Sequence, residues 1–186
     1  MFYRSDRLFL RPAFPEDSRE LYHAICDARV VQMLASVPWP YRLADAQAYC
    51  ALPKDPRVPS FVITLPEAKG APIIGGVGFH ASKEGIGLGY WIARDHWGRG
   101  YATEAGRGAL EVANALGHRR VSAGHYVDNP ASGRVLRKLG FRETGEVRPT
   151  FCQARGGELV LSRRYALEPS EAEAEASTLD DRMRAA

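Results

Sequence analysis

Between residues 85 and 117 the hydrophobic pattern changes from that of a strand to that of a helix, and the change falls within ten residues. Residues 85–93 (GIGLGYWIA) alternate: Ile86, Leu88, Tyr90 and Ile92 share one face, Gly87, Gly89 and Trp91 the other. Ala102, Ala105, Ala109, Val112, Ala113 and Leu116 then recur at helical spacing, and Gly117 is placed to end that helix. Residues 94–103 (RDHWGRGYAT) connect the two. A strand that turns through two glycines directly into a helix restricts the chain to a mixed α/β fold. The same turn aims several backbone N–H groups at one place, at the positive end of a helix, which is an anion site. It implies a phosphate-bearing ligand, with room between Gly98 and Gly100 for a diphosphate.

The remaining elements surround this unit. Residues 6–13 (DRLFLRPA) read as a first strand ended by Pro12 and Pro15. Asp17 or Ser18 can cap a helix running through RELYHAICDARVVQML. A proline-rich stretch follows, with a helical patch near residues 43–52. Residues 60–65 (SFVITL) and 72–80 (PIIGGVGFH) read as antiparallel strands around a turn at Lys69-Gly70. Residues 120–126 (RVSAGHY) are a further strand. Asn129-Pro130 opens another helix as cap and first residue, with Val135, Leu136 and Leu139 as its buried stripe and Gly140 as its stop. FRETGEVR and ELVLSRRYAL close the domain as two strands.

With 186 residues and 45% hydrophobic side chains, residues 1–167 read as one domain, followed by an acidic tail over residues 168–186 expected to be disordered or a frayed helix. The tail carries a charge of −4, so the overall +3 leaves the body at +7, a balance that suits an anionic ligand. No apolar run reaches the roughly 18 residues of a membrane span. Arginines at 4, 7 and 11 interrupt the N-terminus, so it does not read as a secretory signal. Cys26, Cys50 and Cys152 are far apart, without metal-ligand spacing, and fit free thiols in a reducing cytoplasm. GIGLG lies inside a strand instead of opening a helix, and no GxxxxGK[ST] occurs, which argues against dinucleotide and P-loop enzymes. The arginines are scattered without an aromatic-basic repeat, which argues against direct nucleic-acid binding.

WGRGYATEA followed about thirty residues later by DNPASGRVLRKLGF resembles the cofactor-binding half of the GNAT superfamily of N-acetyltransferases. With RLFLRP, Asp17 and LGYWI, the chain resembles most the branch of the ribosomal-protein N-terminal acetyltransferases (RimJ/RimL type), over nearly all of residues 5–167. The resemblance implies the GNAT fold, a mixed, mostly antiparallel sheet flanked by helices and splayed around its cofactor near His125. It implies acetyl-CoA as donor, an amine as acceptor (a protein N-terminal α-amine or a small molecule), and no metal. A homodimer is compatible with it.

In that frame Trp97, Gly98, Arg99, Gly100, Tyr101, Ala102 and Thr103 wrap the pyrophosphate, and the strand end at Trp91, Ile92 and Ala93 pairs with the pantetheine arm. Asn129 and Ser132 match the branch's asparagine and serine. Asn129 reads equally well as a plain helix cap or as a donor to the cofactor. Many relatives place a tyrosine acid seven residues after the asparagine; that position is Leu136 here, which leaves Ser132 to face the thioester sulfur. The expected chemistry is direct attack by a neutral amine, with an oxyanion donor in the backbone near Ile92. Candidate bases are Glu84 and Glu158, with His80 and His125 as rivals. Trp39, Tyr41, Arg42 and Phe61 are candidates for an acceptor pocket, against the alternative that the aromatics are core. A coenzyme-A-binding sensor without turnover is the competing reading.

Overall fold

The computed structural model describes residues 1–82 and 85–168. In chain order it runs β1 (Tyr3–Arg4), β2 (Phe9–Arg11), α1 (Ser18–Ile25), α2 (Ala28–Val31), α3 (Leu43–Ala51), β3 (Ser60–Thr64), β4 (Ile73–Ser82), β5 (Gly85–Ile92), α4 (Tyr101–Ala115), β6 (Val121–Tyr126), α5 (Pro130–Lys138), β7 (Arg142–Cys152) and β8 (Glu158–Leu167). The strands form one eight-stranded sheet in the order β1-β2-β3-β4-β5-β6-β8-β7. Every neighbouring pair is antiparallel except β5 and β6, which run parallel because α4 carries the chain back between them.

Each face of the sheet buries its own core. On one, α4 and α5 cover Leu8, Leu10, Phe61, Ile63, Ile86, Leu88, Ile92 and Tyr165. On the other, the α1–α3 segment packs Leu21, Ile25, Val31, Tyr41 and Ala46 against Val62, Ile73, Tyr126 and Cys152. The small residues of α4 bring it close to α5, and a Cβ at Gly106 would stand 2.6 Å from Leu139 Cδ1 at the end of that helix.

The long first helix expected from the sequence is interrupted. Asp27 ends the run by taking an extended conformation and accepting the Arg29 N–H, so α1 stops at Ile25 and a short α2 begins beyond it. This is the ordinary competition of an aspartate side chain with the helical backbone. Asp17 does not cap α1 through its side chain either. Its carboxylate instead accepts two hydrogen bonds from Arg11, at 2.6 and 2.8 Å, and the Phe14 N–H at 2.7 Å, which ties β2 to the start of α1. The last strand, β8, covers the ELVLSRRYAL segment as expected, whereas β7 extends further than its sequence pattern suggests and continues through PTFC to Cys152.

Candidate active site

The turn before α4 has the geometry its glycines imply. Gly98 (φ +74°) and Gly100 (φ +82°) both sit in the left-handed region, and Gly100 is the helix cap without any capping side chain. The first intrahelical donors are Thr103 and Glu104, both to the Gly100 carbonyl. Among the described residues the N–H groups of Gly98, Arg99, Gly100, Tyr101 and Ala102 donate to no protein acceptor outside regular structure. They lie on an exposed turn at the positive end of a fifteen-residue helix.

Neighbouring elements hold the turn in place. The Trp97 indole donates to the Ile92 carbonyl at 2.7 Å, fastening the turn to the end of β5. From the β1–β2 turn, Arg7 donates to the Arg99 carbonyl at 3.2 Å and stacks 4.7 Å over the Tyr101 ring. Burial raises the Glu104 carboxyl, but hydrogen bonds from Ser5, the Arg7 N–H and the Arg7 guanidinium outweigh it and hold the group below the usual carboxylate range. The one acid in the first turn of α4 is therefore spoken for by Arg7. A cavity of about 590 Å³ adjoins Gly100, with three cations (Arg7, Arg107 and Lys138) against two acids (Asp6 and Glu104).

Beyond the turn the sheet opens. β5 and β6 pair only over Ile86↔Val121, Gly87↔Ser122 and Leu88↔Ala123. From there β5 follows β4 to Ile92↔Gly75, and β6 follows β8 to Tyr126↔Ser162. The N–H of Ala93 points to β4, bonding Ile74 at 2.8 Å. Successive N–H groups of a strand point to opposite edges, so the N–H of Ile92 and that of Tyr90 face the opening. Gly89 lies at the point of parting, exposed, with no atom within 4 Å of where a Cβ would stand.

The start of α5 forms the other wall. Asn129 is its cap, its side-chain oxygen accepting the Ser132 N–H at 3.3 Å. This is the plain-cap geometry, and it leaves the amide NH₂ of Asn129 as a second donor. Ser132 is half-buried in the first turn, and its hydroxyl lies 2.8 Å from the Tyr90 phenol, which reaches across from β5. Burial pushes the Tyr90 phenol up to about 12, against the opposing effect of its Ser132 hydrogen bond. Tyr90 is the site residue that the sequence pattern hid. Its place on the Ile86–Leu88–Ile92 face reads as core, and the one hint is that a buried tyrosine hydroxyl needs a partner.

The other candidates scatter. Leu136 is fully buried, so α5 offers no hydroxyl there. Glu158 is exposed at the far end of β8, paired with Cys152, four residues beyond the last β6 contact at Ser162. Glu84 lies outside the described residues, as does the tail after Glu168. His80 sits on the strand segment where β4 still pairs with β5, next to Gly87, and burial together with Arg164 lowers its imidazole. His125 is buried, its Nδ1 donating to the Tyr126 carbonyl at 2.7 Å and its Nε2 lying 3.3 Å from the Tyr165 hydroxyl. Phe61 is 1% exposed in the α4/α5 core, and Tyr41 is buried and stacked on Tyr22, so both follow the core alternative instead of lining a pocket. Trp39 is 40% exposed. Arg42 is exposed at the cap of α3, where its backbone N–H donates to Asp45 at 2.7 Å. Among the described residues, no group of three or more histidine, cysteine or acidic side chains could hold a metal ion, and no helix is long and apolar enough to cross a membrane.

An exposed turn of unengaged N–H groups beside the parting of β5 from β6 forms the candidate site, and comparison with known proteins gives the family. The acetyltransferase (GNAT) domain family matches residues 7–142, and the chain belongs to that family. It is an acetyltransferase. It is 29% identical over 158 residues to the uncharacterized N-acetyltransferase YoaA of Bacillus subtilis, covering 80% of this chain and 87% of the relative. In fold it is similar to the ribosomal-protein-S5-alanine acetyltransferase of Vibrio fischeri (TM-score 0.74, 16% identity, 92% of this chain and 98% of that one). It is similar also to the microcin C7 self-immunity acetyltransferase MccE, solved with acetyl-CoA and AMP (TM-score 0.71, 19% identity, 88% and 93% covered).

Proposed function

We propose that the protein moves the acetyl group of acetyl-CoA to a primary amine by direct attack, in the cytoplasm. The observation that carries this reading is the combination of five unengaged N–H groups at the α4 turn with the parting of β5 from β6 after Leu88. The turn fits a diphosphate. The strand edge at Tyr90 and Ile92 fits the amides of a pantetheine arm, which then acts as an added strand. The amide NH₂ of Asn129 fits the same arm. Bound acetyl-CoA supplies an activated acyl carbon on a good leaving group. The chain's own residues hold it, place a backbone N–H near Ile92 where negative charge develops on oxygen, and set Ser132 beside the sulfur.

The acceptor reading follows from how the described acids beside the cleft are engaged. Asp27, which approaches Arg94 just after β5 at 3.9 Å, is engaged by Arg29, and Asp128, just after β6, is engaged by Arg155 at 2.6 Å. Among the described residues neither is a free base, and His125 is engaged by the Tyr126 carbonyl. Such a site favours an amine that is already partly neutral. A protein or peptide α-amine, with a pKa of about 7.7–8.0, needs less help than a lysine at about 10.4, and a small-molecule amine of low pKa would serve equally.

Titration calorimetry with acetyl-CoA, followed by thiol release across a panel of peptide α-amines and small amines, tests the reading. Binding with turnover on an α-amine is the expected result. Binding without turnover on any amine would recast the chain as a coenzyme-A-binding module, and no binding would remove the cofactor assignment. Gly89→Val adds a second test. Valine suits a strand and meets open space at this position, so thermal stability should change by no more than about 0.5 kcal/mol. The added methyls intrude where the strands part, and turnover should fall about tenfold or more through misplaced substrate.

A further inference from the structure

The Tyr90–Ser132 contact joins two elements that backbone pairing leaves apart. The Tyr90 oxygen lies 2.8 Å from Ser132 Oγ and 3.1 Å from the Ser132 carbonyl. Two hydroxyl protons can occupy this triangle in two ways. In one, Tyr90 donates to the carbonyl, which can only accept, and Ser132 donates to Tyr90, so neither proton is left for a ligand. In the other, Tyr90 donates to Ser132 Oγ and the serine proton is free to turn into the cleft. The heavy atoms stand in hydrogen-bond range for both, so an acceptor atom arriving beside Ser132 can select the second arrangement without moving the backbone.

We propose that Tyr90 is a positioning residue for the leaving sulfur: by donating to Ser132 Oγ it turns the serine hydroxyl toward the sulfur of bound coenzyme A. This rests on the acetyl-CoA reading given above. In the transfer a carbon–nitrogen bond forms and the carbon–sulfur bond breaks. The bonding pair leaves on sulfur, and the amine's proton goes to solvent. Ser132 and Tyr90 both keep their protons. Their joined hydroxyls stabilise the departing thiolate through one charge-assisted hydrogen bond. Burial, which keeps the phenol protonated well above neutrality, suits a group that donates a hydrogen bond without releasing its proton.

The test is the pH dependence of coenzyme A binding, which needs no acceptor. A donor aimed at sulfur favours the thiolate, so the affinity of the wild type for free coenzyme A should rise with pH through the thiol range, by about tenfold for each unit by which the bound thiol's pKa is lowered. Acetyl-CoA, whose sulfur carries no proton, is the control. It reports the other titratable groups around the pair, namely His125 from β6 against Gly133, and Tyr165 from β8 with Glu143 and Arg137 behind it. Subtracting its profile isolates the thiol. Tyr90→Phe keeps the ring and its packing, and Ser132→Ala removes the direct donor. Both should flatten the difference profile. A Tyr90→Phe profile as steep as the wild type's would overturn the proposal, as would a flat profile in the wild type. Absence of coenzyme A binding by the wild type would instead mean that the cofactor assignment itself has failed.

Discussion

Gly100→Asp is expected to raise the Kd for acetyl-CoA by about a hundredfold or more while leaving the fold intact. The new carboxylate would stand among the N–H groups assigned to the diphosphate. Two unit charges about 4 Å apart near a protein surface repel by about 4 kcal/mol, and partial solvent screening at this exposed turn still leaves more than the roughly 2.7 kcal/mol of a hundredfold change. The fold should survive because a Cβ at position 100 meets only an Arg7 guanidinium nitrogen, at 3.6 Å, an ordinary van der Waals contact. Aspartate also tolerates the left-handed conformation better than most residues. Gly100→Ala separates the two causes: it carries the backbone strain without the charge and should weaken binding far less. Calorimetric titration of both variants, with thermal unfolding as the folding control, reads the outcome. Unchanged affinity in Gly100→Asp would show that the phosphates bind elsewhere.

The second large effect is structural. Asp17→Ala should cost about 3 kcal/mol, because it strands the mostly buried Arg11 guanidinium and leaves the Phe14 N–H without its acceptor. For a domain of this size that is a fall of about 10 °C in the unfolding midpoint. The pH dependence follows with a definite sign. Burial alone would raise the Asp17 carboxyl, but hydrogen bonds from Arg11 and Phe14 and the charge of Arg11 hold it below the ordinary carboxylate value. A carboxyl depressed in the folded state contributes stability that is fully present above its unfolded pKa of about 3.9 and is lost as pH falls through the lower folded value. Wild-type stability should therefore drop with acid in that window, and Asp17→Asn should show a shallower acid dependence. Denaturant unfolding at stepped pH makes the comparison, and equal slopes in the two proteins would place the acid-sensitive group elsewhere.

Much of the framework was readable residue by residue. The alternation of GIGLGYWI, the spacing of the alanines in α4 and the Asn129-Pro130 cap all act within a few residues of chain, and each element formed where its pattern falls. The misreadings share one cause. Asp17 or Ser18 was read as a helix cap; Asp17 stands at the cap position, but its carboxylate pairs with Arg11 because β2 brings that side chain alongside. Phe61 and Tyr41 were candidates for a pocket, and packing from both faces of the sheet buries them. Tyr90 looked like one more core residue on an apolar face. Its hydroxyl meets Ser132, 42 residues away, through strand register and helix placement that no local pattern encodes.

By itself, then, the sequence determined the turn before α4. Glycines, which accept positive φ at little cost, set at the head of a helix leave backbone N–H groups exposed whatever surrounds them. Only the tertiary structure decided where β5 leaves β6, which hydroxyls meet across the gap, and which candidate side chains end in core instead of cleft. Those outcomes depend on the balance of two cores on opposite faces of the sheet, built from contacts between residues far apart along the chain.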